Sequence, residues 1–257
     1  MIIDTHAHLY YKELSDNLDL IIDNAAENGI EKIIIPAVDL KTSEEILKIC
    51  DEYDSLYAAV GIHPSEVTAF KISELKYIEE FASHKKVVAI GEIGLDYYWD
   101  RSYIKEQKVF FNELIELANG RNLPVIIHTR DSVEDAINIV KDRYQEGITS
   151  GQFHCFSGNI EQMKIILDLN NFYLSFGGNI TYKSYKDYSL IEYLPLENLL
   201  FETDSPFLPP VPHRGEKNQP AFIIHTIEKI SDIKKKDIDE LKDIVYQNTN
   251  SLFKFSG

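Results

Sequence analysis

The residues of this chain that could do chemistry recur in one kind of place. His6 and His8 stand two apart behind the branched apolar pair Ile2-Ile3. Strand side chains alternate faces, so both imidazoles project to the same side. A neighbouring pair of neutral imidazoles chelates a divalent ion but leaves its coordination shell incomplete. Five further apolar runs end on a residue able to help: His63, Glu92, His128, His154 and Asp204. One His at a strand end is ordinarily a hydrogen-bonded structural residue. Seven convergent residues of this type read instead as a metal site. Glu92 can bridge two ions, with His6 and His8 on one side, His128 and His154 on the other, and Asp204 completing the first ion's shell. Two ions about 4 Å apart hold a hydroxide nucleophile and polarise the oxygen under attack, while the Asp204 carboxylate can accept the proton of the attacking water.

Such a site needs strands whose ends converge, and the apolar patterning supplies them. After the first strand, runs at 33–38, 56–62, 87–92, 124–128, 152–156, 172–176 and 199–204 read as seven more. Helical spacing lies between them: Leu18, Ile21, Ile22, Ala25 and Ala26 before a capping Gly29, then 42–53, 72–82, and 102–119 with a stripe through Val109, Phe110, Leu114 and Leu117. Asp131 with Glu134 resembles a capping box opening a helix through Val133, Ile137 and Val140, and Asn159 with Gln162 caps the next. A Pro-rich loop at 205–220 leads into helices at 221–230 and 237–253. Eight strand-helix alternations without a linker predict an α/β fold, a (β/α)₈ TIM barrel forming one domain over 1–257, with its site at the C-terminal ends of the strands. Gly91 and Gly94 around Glu92 point to close backbone approach there.

Composition bounds the rest. A 44% hydrophobic and 26% charged chain has the material for a core. Two cysteines, Cys50 and Cys155, are too few for a disulfide framework, and the N-terminus lacks a basic stretch before a long apolar one, so a reducing cytoplasm is expected. No apolar run approaches the roughly 18 residues that span a bilayer, so no membrane association is expected. A net charge of −16 argues against a broad electrostatic grip on duplex DNA or anionic lipid. It leaves room for a small site in which bound cations accept phosphate locally.

Five tracts in order, Asp4-Thr5-His6-Ala7-His8-Leu9, Gly61-Ile62-His63-Pro64, Gly91-Glu92-Ile93-Gly94-Leu95-Asp96, His154-Cys155-Phe156-Ser157-Gly158 and Glu202-Thr203-Asp204-Ser205-Pro206, resemble those of TatD-type metal-dependent deoxyribonucleases. The resemblance implies a barrel of the amidohydrolase superfamily, two divalent ions held by His6, His8, Glu92, His128, His154 and Asp204, and hydrolysis of DNA phosphodiesters, exonucleolytic and acting on single strands or ends. In the family pattern His63 sits beside the metals as a phosphate-binding or acid-base residue; the alternative is a His held by the turn at Pro64. Arg214 and Lys217 could hold substrate phosphate, with Arg130 and Asn218 as further candidates whose alternatives are solvation or capping. The family tract is usually richer in basic residues at Glu216 and often acidic at Gln219.

Other readings remain open at this level. A hydrolase of the same superfamily could act on an aminoacyl ester or a cyclic amide, although Glu92 stands where a carbamylated Lys would be needed for the latter. A non-catalytic metal-bound binding protein is a third. The aromatics of Asp96-Tyr97-Tyr98-Trp99 could stack on a base or simply pack the barrel rim. Cys155, of opposite strand parity to His154, is expected in the core, His84 and His225 at the surface or in packing, and Tyr185–Tyr188 at a helix start. Mg²⁺, Mn²⁺ and Zn²⁺ all suit this donor set. A monomer is the default expectation.

Overall fold

The computed structural model describes residues 1–145 and 150–255. Its sheet has eight parallel strands in sequential order: β1 (Ile2–Asp4), β2 (Ile30–Pro36), β3 (Leu56–Val60), β4 (Val87–Asp96), β5 (Val125–Arg130), β6 (Gly151–Phe153), β7 (Phe172–Phe176) and β8 (Leu199–Phe201). The ring closes just past the ends of β8 and β1. Thr5 N–H donates to the Phe201 carbonyl (3.1 Å), Asp204 N–H to the His6 carbonyl (2.8 Å) and His8 N–H to the Ser205 carbonyl (2.8 Å). The sheet is thus a nearly closed barrel.

The helices alternate with the strands around the outside. They are α1 (Lys12–Ser15), α2 (Leu18–Glu27), α3 (Leu40–Glu52), α4 (Leu75–Phe81), α5 (Ile104–Gly120), α6 (Val133–Gln145), α7 (Ile160–Leu167), α8 (Ser189–Tyr193), α9 (Ile223–Lys234) and α10 (Ile238–Leu252). Their starts follow from local chemistry: the Asp39 carboxylate accepts the Thr42 N–H at 2.7 Å, Asn159 and Gln162 form the expected reciprocal box, and Asp237 accepts from the N–H groups of Asp239 and Glu240.

Period-two alternation sorts the strand residues. Ile33, Ile35, Val125, Ile127, Leu199 and Phe201 pack outward in the layer shared with the helices, whereas Ile34, Ala59, Ile126 and Leu200 form an inner apolar layer joined by Leu252 and Phe253. Above that layer the interior turns polar. Gln152 Nε2 donates to Thr5 Oγ1 (2.8 Å), Ser175 Oγ (2.7 Å) and Glu202 Oε2 (3.0 Å). The catalytic-type residues form the next level up.

Several expected boundaries shift. β4 runs four residues past Glu92, to Asp96. The segment at 72–82 divides into a 3₁₀ turn and the short α4. Val109, placed in the apolar stripe by its spacing, is exposed and lies off the buried face of Phe110, Phe111, Leu114 and Ile115. α6 begins at Val133, one residue later than a cap at Asp131 requires; Asp131 itself adopts φ 56°. α8 starts at Ser189, after the Tyr185–Tyr188 tract, whose two tyrosine rings pack on each other 5.4 Å apart. The close approach expected near Glu92 is present. A Cβ on Gly91 would lie 2.7 Å from Ile126 Cβ, and one on Gly94, held at φ 140°, 2.1 Å from the His128 carbonyl oxygen.

Candidate metal centre

Past β1, the chain carries His6 and His8 inward so that their Nε2 atoms lie 3.1 Å apart. Both face one oxygen of Glu92: Oε2 is 3.5 Å from His6 Nε2 and 3.6 Å from His8 Nε2. Asp204 Oδ1 approaches the same pair at 3.8 and 3.6 Å. The other Glu92 oxygen, Oε1, faces a second set, with His128 Nδ1 at 2.8 Å, His154 Nε2 at 2.9 Å and His63 Nε2 at 3.6 Å. All seven residues selected from the sequence therefore meet at one centre, the other six divided between the two sides of the Glu92 carboxylate.

The tautomers dictate where lone pairs point. His8 Nδ1 lies 3.2 Å from the Pro36 carbonyl, which can only accept, so Nδ1 carries the proton and Nε2 presents its lone pair to the centre. Asp96 Oδ2, 3.1 Å from His128 Nε2, fixes the proton there and directs Nδ1 inward. Lone pairs of imidazole and carboxylate facing one another at such distances require a cation or protons between them. In the metal-free protein the need falls on protons. Burial disfavours a charged His128 or His154, yet Glu92, together with Asp96 at His128, outweighs burial and raises both, His154 well above the ordinary histidine value. Burial would likewise raise the Glu92 carboxyl, but the histidines, His154 foremost, hold it well below the usual carboxylate range. His6 and His63 go the other way because burial dominates, with His63 at about 3. The donor set of imidazole nitrogens and carboxylate oxygens fits divalent transition ions, and three trios converge closely enough to hold one: His6-His8-Glu92 and His63-Glu92-His128 on Glu92, and His6-His154-Glu202 behind them.

Two supporting acids were not singled out from the sequence, although the alternation that found the ligands extends to them. Asp96 lies four residues beyond Glu92 on the same strand face, and Glu202 two before Asp204. Glu202 is fully buried. It accepts from Ser175 Oγ (2.7 Å), Gln152 Nε2 and the Cys155 N–H (2.6 Å), and lies 3.7 Å from His154 Nδ1. Burial alone would raise its carboxyl, but His154 and these donors bring it down to about 2. A depressed acid stabilises the fold above its unfolded value, and that contribution is lost as pH falls toward the folded value. Glu202→Gln is therefore expected to cost about 2–3 kcal/mol near neutrality, since an amide cannot accept on both sides. The deficit should shrink between pH 4.5 and about 2. Urea denaturation across that range checks this, and a pH-independent deficit would refute it.

The expected substrate contacts scatter more. Arg130 lies over the Tyr98 ring at 3.7 Å and Arg214 over Tyr182 at 3.8 Å, both with exposed side chains. Lys217 is also exposed but pairs with Glu13 at 3.0 Å. Asn218 departs from expectation: it is fully buried, its amide donating to the Thr203 and Phe207 carbonyls, so it braces the Asp204 loop and offers substrate no free edge. Cys155 is also displaced. β6 ends at Phe153, so strand parity no longer governs it; the residue adopts φ 43° and is only partly buried. His84 and His225 lie outward beside Asp51 and Glu228.

The family described as TatD related DNase matches residues 3–254. The chain belongs to the TatD family. A TatD relative from Bacillus subtilis, the uncharacterized metal-dependent hydrolase YabD, is 39% identical over the full length of both chains. Another, the uncharacterized metal-dependent hydrolase YcfH of Escherichia coli, is 33% identical over 98% of this chain and 95% of its own. The crystal structure of the TatD homologue YjjV from E. coli superposes with a TM-score of 0.92 at 31% identity, covering 99% and 98% of the two chains. The protein is accordingly a metal-dependent hydrolase of the TatD family with the TatD barrel. Among the described residues no helix is long and apolar enough to cross a membrane.

Proposed function

We propose that the protein is a deoxyribonuclease that hydrolyses DNA phosphodiester bonds from strand ends, using two divalent ions. The observation that carries this reading is the division of Glu92, Oε2 toward His6, His8 and Asp204 and Oε1 toward His128, His154 and His63. His6, His8, Glu92 and Asp204 would hold one ion; Glu92, His128 and His154 would hold the other. When bound, the ions lower the pKa of an attacking water and neutralise the phosphodiester charge.

The chain's own groups do the remaining work. Asp204 receives the proton of the attacking water, its carboxylate being partly open to solvent beside the His6-His8 pair. His63, neutral at physiological pH and held by Ser65 Oγ at 2.8 Å, stands beside His128 and Glu92 without serving as a ligand, where it donates a hydrogen bond to a phosphate oxygen. Arg130 and Arg214, which make no ion pair among the described residues, bring positive charge to the rim of a strongly acidic protein. Arg214 and Lys217 contact substrate phosphate from the loop after β8.

The test is metal-stripped protein resupplied with Mg²⁺, Mn²⁺ or Zn²⁺ and given DNA labelled at either end, single-stranded and duplex. Stepwise metal-dependent shortening is expected. Intact DNA with each metal, alongside turnover of aminoacyl esters, would replace this reading by that of an esterase on the same centre.

A further inference from the structure

At the rim beyond the second histidine set, β4 and β5 continue past their ligands and pair Asp96 with Arg130. The chain then leaves the sheet in two steps. Tyr97 turns inward, buried, with its hydroxyl donating to Asp135 Oδ2 at 2.8 Å. Tyr98 and Trp99 turn outward, 54% and 72% exposed, with their rings edge to face 4.9 Å apart. Trp99 is the single tryptophan of the chain. The Arg130 guanidinium lies 3.7 Å from the Tyr98 ring centre and 5.2 Å from that of Trp99.

Two features separate this patch from rim packing. A tryptophan that packs the rim is covered by it, whereas this one presents most of its surface to water. Its base is also wired to the metal centre: Asp96 accepts the Tyr98 N–H through Oδ1 at 2.9 Å and holds His128 Nε2 through Oδ2. One carboxylate thus sets both a candidate ligand and the start of the aromatic tip. Arg130, two residues beyond His128 on the same strand, is stacked rather than ion-paired, which leaves its N–H edge available.

We propose that Trp99, with Tyr98 and Arg130 beside it, is a stacking platform for an unpaired base of single-stranded DNA, Arg130 taking that nucleotide's phosphate. The proposal rests on the nuclease reading of the centre. A free aromatic face next to an available guanidinium matches a ligand with a flat ring and an anion one bond series away, and a nucleotide has both. Bases inside a duplex offer no face, so the platform selects single strands or frayed ends. It also answers the problem of charge. A protein at −16 repels a polyanion at long range, and stacking is a short-range attraction that needs no positive field.

Trp99 reports on its own contact. Mg²⁺-loaded Asp204→Asn protein is titrated with oligothymidylate, with the same oligomer carrying abasic sites, and with blunt duplex, following tryptophan fluorescence and the anisotropy of a labelled strand. Quenching is expected with the intact single strand and not with the abasic strand or the duplex. Adding Trp99→Ala should weaken binding about 10-fold, with Trp99→Phe recovering most of the loss. Cleavage by the wild-type chain is scored separately. DNA cut or bound with unchanged fluorescence and undiminished affinity in Trp99→Ala would overturn the platform and leave the nuclease standing. Quenching without cleavage under any metal would uphold the platform and remove the nuclease. Absence of any DNA binding would overturn the platform.

Discussion

Asp204→Asn is expected to reduce DNA hydrolysis about 10²–10⁴-fold, the range over which a positioned proton acceptor contributes, with the fold intact. The substitution is unusually clean at this position. Asp204 adopts φ 55°, a conformation that most L-residues resist and Asn tolerates. The seam bond from its N–H to the His6 carbonyl and the turn bond from Phe207 N–H to its own carbonyl are backbone interactions that Asn retains. What changes is the carboxylate: its charge beside His6 and His8 is lost, and with it both the proton acceptor and an anionic donor to the first ion, so metal content is measured alongside turnover. Turnover on labelled DNA, with thermal unfolding measured alongside, checks the expectation. Wild-type turnover would remove Asp204 from the mechanism, and a large fall in melting temperature would show that the loss was structural.

The second large effect is expected at Glu92. Glu92→Gln keeps the shape of the side chain but offers one acceptor oxygen instead of two anionic ones, between donor sets that both need the charge. We expect the variant to lose metal at one site or both, with affinity down at least about 100-fold, since even partners that merely orient ligands contribute 10–100-fold. Metal content after dialysis reads this directly. In the wild type, metal uptake should release protons and weaken in acid, because His128 and His154 hold theirs above the ordinary histidine value until the ion displaces them. Full metal occupancy in Glu92→Gln would mean that Glu92 does not bridge.

These expectations trace to a feature plainly legible in the chain. Apolar runs ending on His63, Glu92, His128, His154 and Asp204 carried both the barrel and its centre, because a parallel barrel puts every strand's C-terminal end on one face. The same alternation extends to Asp96 and Glu202, but each run points to a single acid, Glu92 or Asp204, and the extra length of β4 depends on its pairing with β5 up to Arg130. Cys155, with its partial exposure, and Asn218, with its bracing role, escape the sequence for a common reason. Each lies just after a strand, where direction is set by contacts distant in sequence: Glu202 for the Cys155 N–H, and the Thr203 and Phe207 carbonyls for Asn218. Val109 fits the apolar periodicity but falls at the edge of the buried stripe, a position that spacing alone does not distinguish from its centre. The fate of the Tyr97-Tyr98-Trp99 run required knowing that Asp135 captures the first hydroxyl and frees the other two rings.

The closure of the barrel has a consequence for the life of the chain before it is whole. His6 and His8 emerge first in synthesis and their stretch meets the Ile34 and Pro36 carbonyls of β2 early, but the seam bonds to Asp204 and Ser205 come from residues made some two hundred positions later. Until that last strand arrives, the histidine pair has neither its seam nor the Asp204 carboxylate. A copy stalled on the ribosome, or clipped ahead of β8, therefore carries imidazoles without a working centre. On the nuclease reading proposed above, the order of synthesis itself keeps an unfinished chain from assembling the centre.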